Sequence, residues 1–134
     1  MKRIQNVTWA LGLALLLGAC SSSLNFQTSS VVPAASGKVD VQRDRNENYT
    51  VRVNVRNLAP PDRLTPPQPY YVVWMESKQG TTRKLGLLNP SSRQLKASLR
   101  TSVVEQPARV FVTAENSTDS AYPAGTEVLA TNRR

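Results

Sequence analysis

A strict alternation of apolar and polar residues is the strongest folding signal in this chain. The segment 51–56 reads VRVNVR, with valine at every second position. A period of two is that of a β-strand with one face buried. Similar alternation, or a short apolar run between turn residues, recurs along the chain. Strands are predicted around 39–41, 51–56, 70–76, 85–88, 94–100, 108–115 and 126–131.

Seven short strands without a strong helix predict an all-β fold. We expect residues 37–134 to form one immunoglobulin-like antiparallel β-sandwich. The segment 94–103 is ambiguous, because its leucines and valine also fit one face of a helix; we favour a strand, since every neighbour is a strand. Gly86 is expected to mark a β-bulge. Trp74, in the apolar run YYVVWME, is expected to fill the space between the two sheets.

The first twenty residues form a segment of a different kind. Lys2 and Arg3 precede an uncharged, largely apolar run of 13 residues at 7–19. A membrane-spanning helix needs roughly 20 residues, so this run fits a signal peptide at 1–19. The sequence Leu17-Gly18-Ala19-Cys20 then resembles the lipobox of bacterial lipoproteins. That resemblance implies cleavage between Ala19 and Cys20 and covalent attachment of lipid to Cys20.

The lipobox resemblance also implies a cellular location. Residues 20–36 are rich in serine and are predicted to be the lipidated cysteine and a flexible tether. The lipid on Cys20 would make the membrane a partner of the chain. In lipoproteins of two-membrane bacteria, Asp after the cysteine favours the inner membrane, so Ser21 points to lipid anchoring in the outer membrane if the organism has two membranes.

From Tyr49 onward the chain resembles the extracytoplasmic C-terminal domain of the anti-sigma-K factor family. The resemblance is carried by YTVRVNVRNLAPP (49–61), YYVVWMESKQGTTRKLGLL (70–88) and VFVTAENSTDSAYPAGTEVLA (110–130). It implies the fold of that outer domain without a ligand site. Because the chain shows no counterpart of the family's sigma-binding domain, it is not expected to sequester a sigma factor.

Composition argues against an enzyme. The chain has no histidine and one cysteine, which excludes a Ser-His-Asp triad, a Cys-His pair and histidine-bearing zinc sites. Ser77 and Lys78 are adjacent on a strand, so they point to opposite faces. Glu115 and Asp119 bracket a loop, but we interpret them as surface acids. No catalytic residue, metal site or cofactor is predicted.

A binding role is the favoured hypothesis. The formal net charge is +8, and loss of two signal cations leaves +6. Arg52 and Arg56 lie on one strand face, and Tyr70 follows a proline-rich segment; these three form the predicted binding face. We expect this face to bind an anionic envelope component or a protein partner. Nucleic acid is not an expected partner, because the predicted location is outside the cytoplasm. The hypothesis is a binding or sensory module. The alternative is a passive structural subunit of an envelope complex.

Overall fold

The fold is a sandwich of two antiparallel β-sheets. A computed structural model describes residues 21–134; the signal segment, the lipobox and Cys20 lie outside the described residues. Strands β1, β2, β3 and β6 form sheet I, and strands β5, β4, β7 and β8 form sheet II, in those orders. The predicted all-β sandwich is therefore confirmed. The elements are β1 (Ser21–Asn25), β2 (Ser36–Arg43), β3 (Tyr49–Arg56), the 3-10 turn η1 (Pro61–Arg63), β4 (Tyr70–Ser77), β5 (Thr82–Leu88), β6 (Ala97–Val103), β7 (Pro107–Glu115) and β8 (Thr126–Ala130).

Each of the seven predicted strands corresponds to one of β2 to β8. The ambiguous segment is a strand, β6, which pairs with β3 from Tyr49↔Val103 to Val55↔Ala97. This pairing places Leu99 opposite Val53, so the period-two interpretation holds and the helical one is wrong. The expected bulge is also present, because the β4–β5 register shifts at Gly86. Gly86 has a φ of +154°.

The flexible tether predicted for 20–36 is wrong where the structure describes it, because Ser21–Asn25 form strand β1. The strand pairs with β2 from Ser21↔Gln42 to Asn25↔Lys38. Leu24 is 5% exposed and belongs to the main core. Beyond β1, the Gln27 amide donates to the Ala130 carbonyl at 2.9 Å. A serine-rich segment thus gains order from the edge of sheet I and from one buried leucine, so residues 21–36 belong to the folded domain.

The core lies between the two sheets. Inward side chains form rows across the strands of sheet I, such as Leu24, Val39, Val53 and Leu99. From sheet II, Tyr71 enters this core, and its hydroxyl donates to the Ala59 carbonyl at 2.7 Å. Burial, and secondarily the charge of Asp62, raises the pKa of Tyr71 to about 12.

Trp74 does not fill the space between the sheets. Its side chain lies on the outer face of sheet II, where it is fully buried in a second cluster with Val72 and Phe111. The loop 116–125 contributes to this cover, since the Lys84 ammonium lies 5.6 Å from the Trp74 ring centroid and donates to the carbonyl of Thr118. The prediction failed because Trp74 and inward-facing Tyr71 are an odd number of residues apart, so they face opposite sides.

The sandwich has two unlike ends. At one end, which we call the β1 end, Ser21 lies beside the short β2–β3 turn. At the same end, the β6–β7 connection contacts the β4–β5 turn, because the Lys78 amide donates a hydrogen bond to the Gln106 carbonyl at 3.0 Å. The opposite end carries the longer connections: 26–35, 57–69, 89–96 and 116–125.

Candidate functional site

The outer face of sheet I carries the predicted arginines. Because Val51, Val53 and Val55 of β3 turn inward, Arg52 and Arg56 turn outward, and both are exposed. The registers then fix which residues lie beside them. One row across the four strands is Ser23, Asp40, Arg52 and Arg100; the row before it is Ser21, Gln42, Thr50 and Ser102; the row after it is Asn25, Lys38, Asn54 and Ser98.

This face, which we call the basic face, has an unbalanced charge. Its cations are Lys38, Arg52, Arg56 and Arg100, and its one acid is Asp40, a net charge of +3. The Asp40 carboxylate lies 3.6 Å from the Lys38 ammonium. Within residues 21–134, no carboxylate oxygen comes within 4.0 Å of the three guanidinium groups. Three exposed arginines are therefore left without an internal counter-charge.

Two of these arginines are direct cross-strand neighbours. Arg52 of β3 lies opposite Arg100 of β6 in the register of sheet I. Like charges placed directly opposite on neighbouring strands destabilise a sheet. The pair therefore costs stability in the free domain, and an anion bound between the two guanidinium groups would remove that cost. Guanidinium groups recognise phosphate and carboxylate by paired hydrogen bonds.

The basic face is shallowly concave in two places. A hollow of about 400 Å³ is lined by Arg52 and Asp40 together with Thr50 and residues 21–23. A second, of about 570 Å³, is lined by Arg56, Lys38 and Asn54 at the other end of β3. Both are open. The first is lined mainly by polar groups, whereas the lining of the second also includes Phe26. They can hold an anionic group by charge and hydrogen bonding, and they do not enclose a small molecule.

Tyr70 is not part of the basic face, which corrects the predicted grouping with Arg52 and Arg56. It opens β4 in sheet II, where it lies opposite Glu115 and is 38% exposed. The proline-rich connection 57–69 carries the chain from one sheet to the other, and this crossing separates Tyr70 from the arginines. Sequence proximity to that connection was therefore a misleading signal.

The remaining candidates have structural roles. Ser77 is buried, and its hydroxyl accepts a hydrogen bond from the Thr81 amide at 3.1 Å, which closes the β4–β5 turn. Glu115 is buried, and one carboxylate oxygen accepts hydrogen bonds from the Thr113 hydroxyl at 2.6 Å and the Ala124 amide at 3.1 Å. The Thr113 hydroxyl also accepts from the Trp74 indole. Glu115 therefore holds the loop 116–125 on sheet II.

Arg100 and Lys38 were missed as site residues at the sequence level. Each stands at a polar position of an alternating strand, which is the signal that identified Arg52. Their placement beside Arg52 depends on the pairing of β3 with both β2 and β6, and a long-range strand order is not encoded in local periodicity.

The described residues show no metal cluster or membrane-spanning helix, and the sequence has no match among known families. In the part of the chain that the structure describes, no cluster of three acidic, histidine or cysteine side chains could hold a metal ion. Across residues 21–134, no helix has the length and apolar character needed to cross a membrane. No protein-family model matches the sequence, and no curated protein matches it.

Proposed function

We propose that this protein is a lipid-anchored module of the bacterial cell envelope that binds an anionic envelope component through its basic face. The binding part of the proposal rests on the directly opposed pair Arg52 and Arg100, for which residues 21–134 provide no carboxylate partner within 4.0 Å. A sheet that keeps this destabilising pair on an exposed surface is suited to an external counter-charge.

The proposed lipid anchor is inferred from the lipobox at 17–20. A buried methylene group contributes about 0.8 kcal/mol to membrane binding, and one acyl chain alone holds only marginally. Two or three chains on Cys20 would make attachment lasting, and the thioether would consume the only thiol of the chain. With Ser21 after the cysteine, we propose the outer membrane of a two-membrane cell as the location.

The same proposal assigns no chemical reaction to the domain. The basic face supplies hydrogen-bond donors and positive charge, which position an anion without transferring a proton or an electron pair. We further propose that the domain shares the fold of the anti-sigma-K outer domain. The segments that support this likeness fall on strands β3, β4, β5, β7 and β8.

The anchor is tested by intact mass and membrane fractionation of the natively expressed protein beside a Cys20→Ser variant. We expect a mass that begins at Cys20 and includes acyl chains, and loss of the variant from the outer-membrane fraction. An unmodified mass with secretion into the medium would refute the anchor.

The basic face is tested separately with a polyanion as the probe. The detergent-solubilised protein is applied to a dextran sulfate column and eluted with salt. We expect Arg52→Glu with Arg100→Glu to elute at much lower salt, because exposed charge interactions are screened. The matched control is Arg63→Glu with Arg93→Glu, which makes the same charge change in exposed connections elsewhere. Equal elution of the two double variants would refute a specific role for the basic face.

A further inference from the structure

The pairing of Ser21 leaves no slack between the domain and residue 20. Ser21 is paired in register with Gln42 of β2, so the residue that follows Cys20 already belongs to the fold. Neighbouring Cα atoms are about 3.8 Å apart. If Cys20 carries the acyl chains, as the proposed function requires, Ser21 lies at the level of the lipid headgroups. The corner of sheet I at which β1 starts therefore touches the membrane surface.

That corner belongs to the basic face. Ser21 and Ser23 turn outward on the same side of sheet I as Arg52 and Arg100. With about 4.8 Å between strands, Arg52 lies about 10 Å and Arg100 about 14 Å across the sheet from Ser23. Both distances exceed the Debye length of about 8 Å at physiological salt, so in a domain held away from the membrane these arginines would be largely screened from it. A tilt of the domain onto the basic face would bring the arginines within that length of the surface that holds the anchor.

We propose that the anionic partner of the basic face is this lipid surface, and that the domain lies with the face against anionic headgroups. The net charge of +3 complements such a surface. The outward residues of the three rows described above include no apolar side chain. The contact therefore rests at headgroup level and depends on charge, without insertion into the hydrocarbon.

At the β1 end, the β2–β3 turn offers a weaker electrostatic contact for an upright arrangement. It carries Arg43 and Arg45 together with Asp44 and Glu47, so its charges cancel. Arg43 and Glu47 form an ion pair at 3.2 Å. A domain standing on this end would hold Arg56 away from the membrane, about 20 Å along β3 from the row of Ser21. Lying on the basic face brings every unpaired arginine of that face to the headgroups.

The experiment measures which surface of the lipidated full chain is covered by the bilayer. Cys20 is the only cysteine, so after lipidation an introduced cysteine is the only free thiol. Asn54→Cys places the thiol on the basic face, and Tyr122→Cys places it on the exposed loop 116–125 of sheet II. Each variant is reconstituted on vesicles of phosphatidylcholine, or of phosphatidylcholine with phosphatidylglycerol. The rate of modification by a membrane-impermeant maleimide is then measured.

We expect the thiol of Asn54→Cys to react at least about tenfold more slowly on the anionic vesicles than on the neutral ones. Each cation near an anionic surface contributes roughly fivefold in binding, so three net charges give a preference on the order of a hundredfold. High salt should restore the rate. The thiol of Tyr122→Cys should react equally on both vesicles. Adding Arg52→Glu and Arg100→Glu should abolish the protection, and adding Arg63→Glu and Arg93→Glu should leave it.

The outcomes separate this inference from the proposed function. Flotation with both vesicle types together with equal reactivity of Asn54→Cys on both would leave the anchor intact and overturn the membrane-facing arrangement, in favour of an anionic protein or glycan partner. Failure to float with neutral vesicles would refute the anchor. In that case Asn54→Cys is tested in a Cys20→Ser background, where residue 54 carries the only thiol; protection on anionic vesicles would still support the headgroup contact, and its absence would overturn it.

Discussion

Leu24→Ala tests whether β1 belongs to the folded domain. Leu24 is 5% exposed, lies opposite Val39 and belongs to the main core. The substitution removes about three methylene equivalents, or about 2.4 kcal/mol of transfer free energy. A residual cavity raises the cost toward the usual range of 2–5 kcal/mol, and relaxation of an edge strand limits it. We expect the free energy of unfolding to fall by about 2–3 kcal/mol.

The assay is equilibrium unfolding in urea, followed by circular dichroism. A domain of this size has an m-value of about 1–3 kcal/mol/M, so the midpoint should fall by about 0.7–3 M. Ser23→Ala is the matched control, because Ser23 is the exposed neighbour in the same strand. It should change stability by less than about 0.5 kcal/mol.

Hydrogen exchange gives an independent measurement. The amides of Phe26 and Gln27 donate to the carbonyls of Gly37 and Ala130 at 3.0 and 2.9 Å, so both should exchange slowly. Equal midpoints for Leu24→Ala and Ser23→Ala, with fast exchange at Phe26 and Gln27, would show that the segment is a free tether. The membrane-facing arrangement would then lose its geometric basis.

Three further predictions concern single side chains. Trp74→Ala should lower the free energy of unfolding by about 3–5 kcal/mol in urea titrations, because the indole is fully buried on sheet II; a loss below about 1 kcal/mol would contradict its burial. Arg100→Glu should raise stability by about 0.2–1 kcal/mol, since it faces Arg52 across the strands; a lower melting temperature than the native chain would contradict the like-charge argument. Because the folded-state pKa of Tyr71 is raised from 10.0 to about 12, the neutral phenol contributes in full to the free energy of unfolding below pH 10. This contribution is lost as the pH rises toward 12. Tyr71→Phe should therefore show a shallower loss of stability with alkaline pH than the native chain, and parallel curves for the two proteins would refute the shift.

Local periodicity was sufficient to predict the strands whose faces differ in polarity. The VRVNVR pattern of β3 fixed both its inward valines and its outward arginines. In β6, Ala97 and Leu99 occupy inward positions as a strand predicts, but the local pattern also fitted a helix and the neighbouring strands decided the interpretation. The signal is strong in these strands because each one places one face on the core and the other in solvent.

Periodicity was insufficient to assign side chains where both faces of a strand are buried. It was also insufficient to predict a strand that is ordered only by pairing with its neighbour. In β4 a continuous apolar run conceals which residues face which side, so Tyr71 and Trp74 could not be assigned from the sequence. Strand β1 has a single apolar anchor, Leu24, in a serine-rich segment, and its order comes from the neighbouring edge of β2. The opposed arginines of the basic face likewise depend on strand order, which is a tertiary property.

Strand β1 also determines how the domain would bear a mechanical load. A pull through Cys20 acts on Ser21, at the end of a strand whose five residues are paired side by side with β2. The hydrogen bonds of an antiparallel pair run perpendicular to the strands, so tension along β1 loads its cross-strand bonds together in shear. They are not opened one after another, as they would be in a peeling geometry. Tension directed along β1 is therefore resisted more strongly than a pull perpendicular to sheet I.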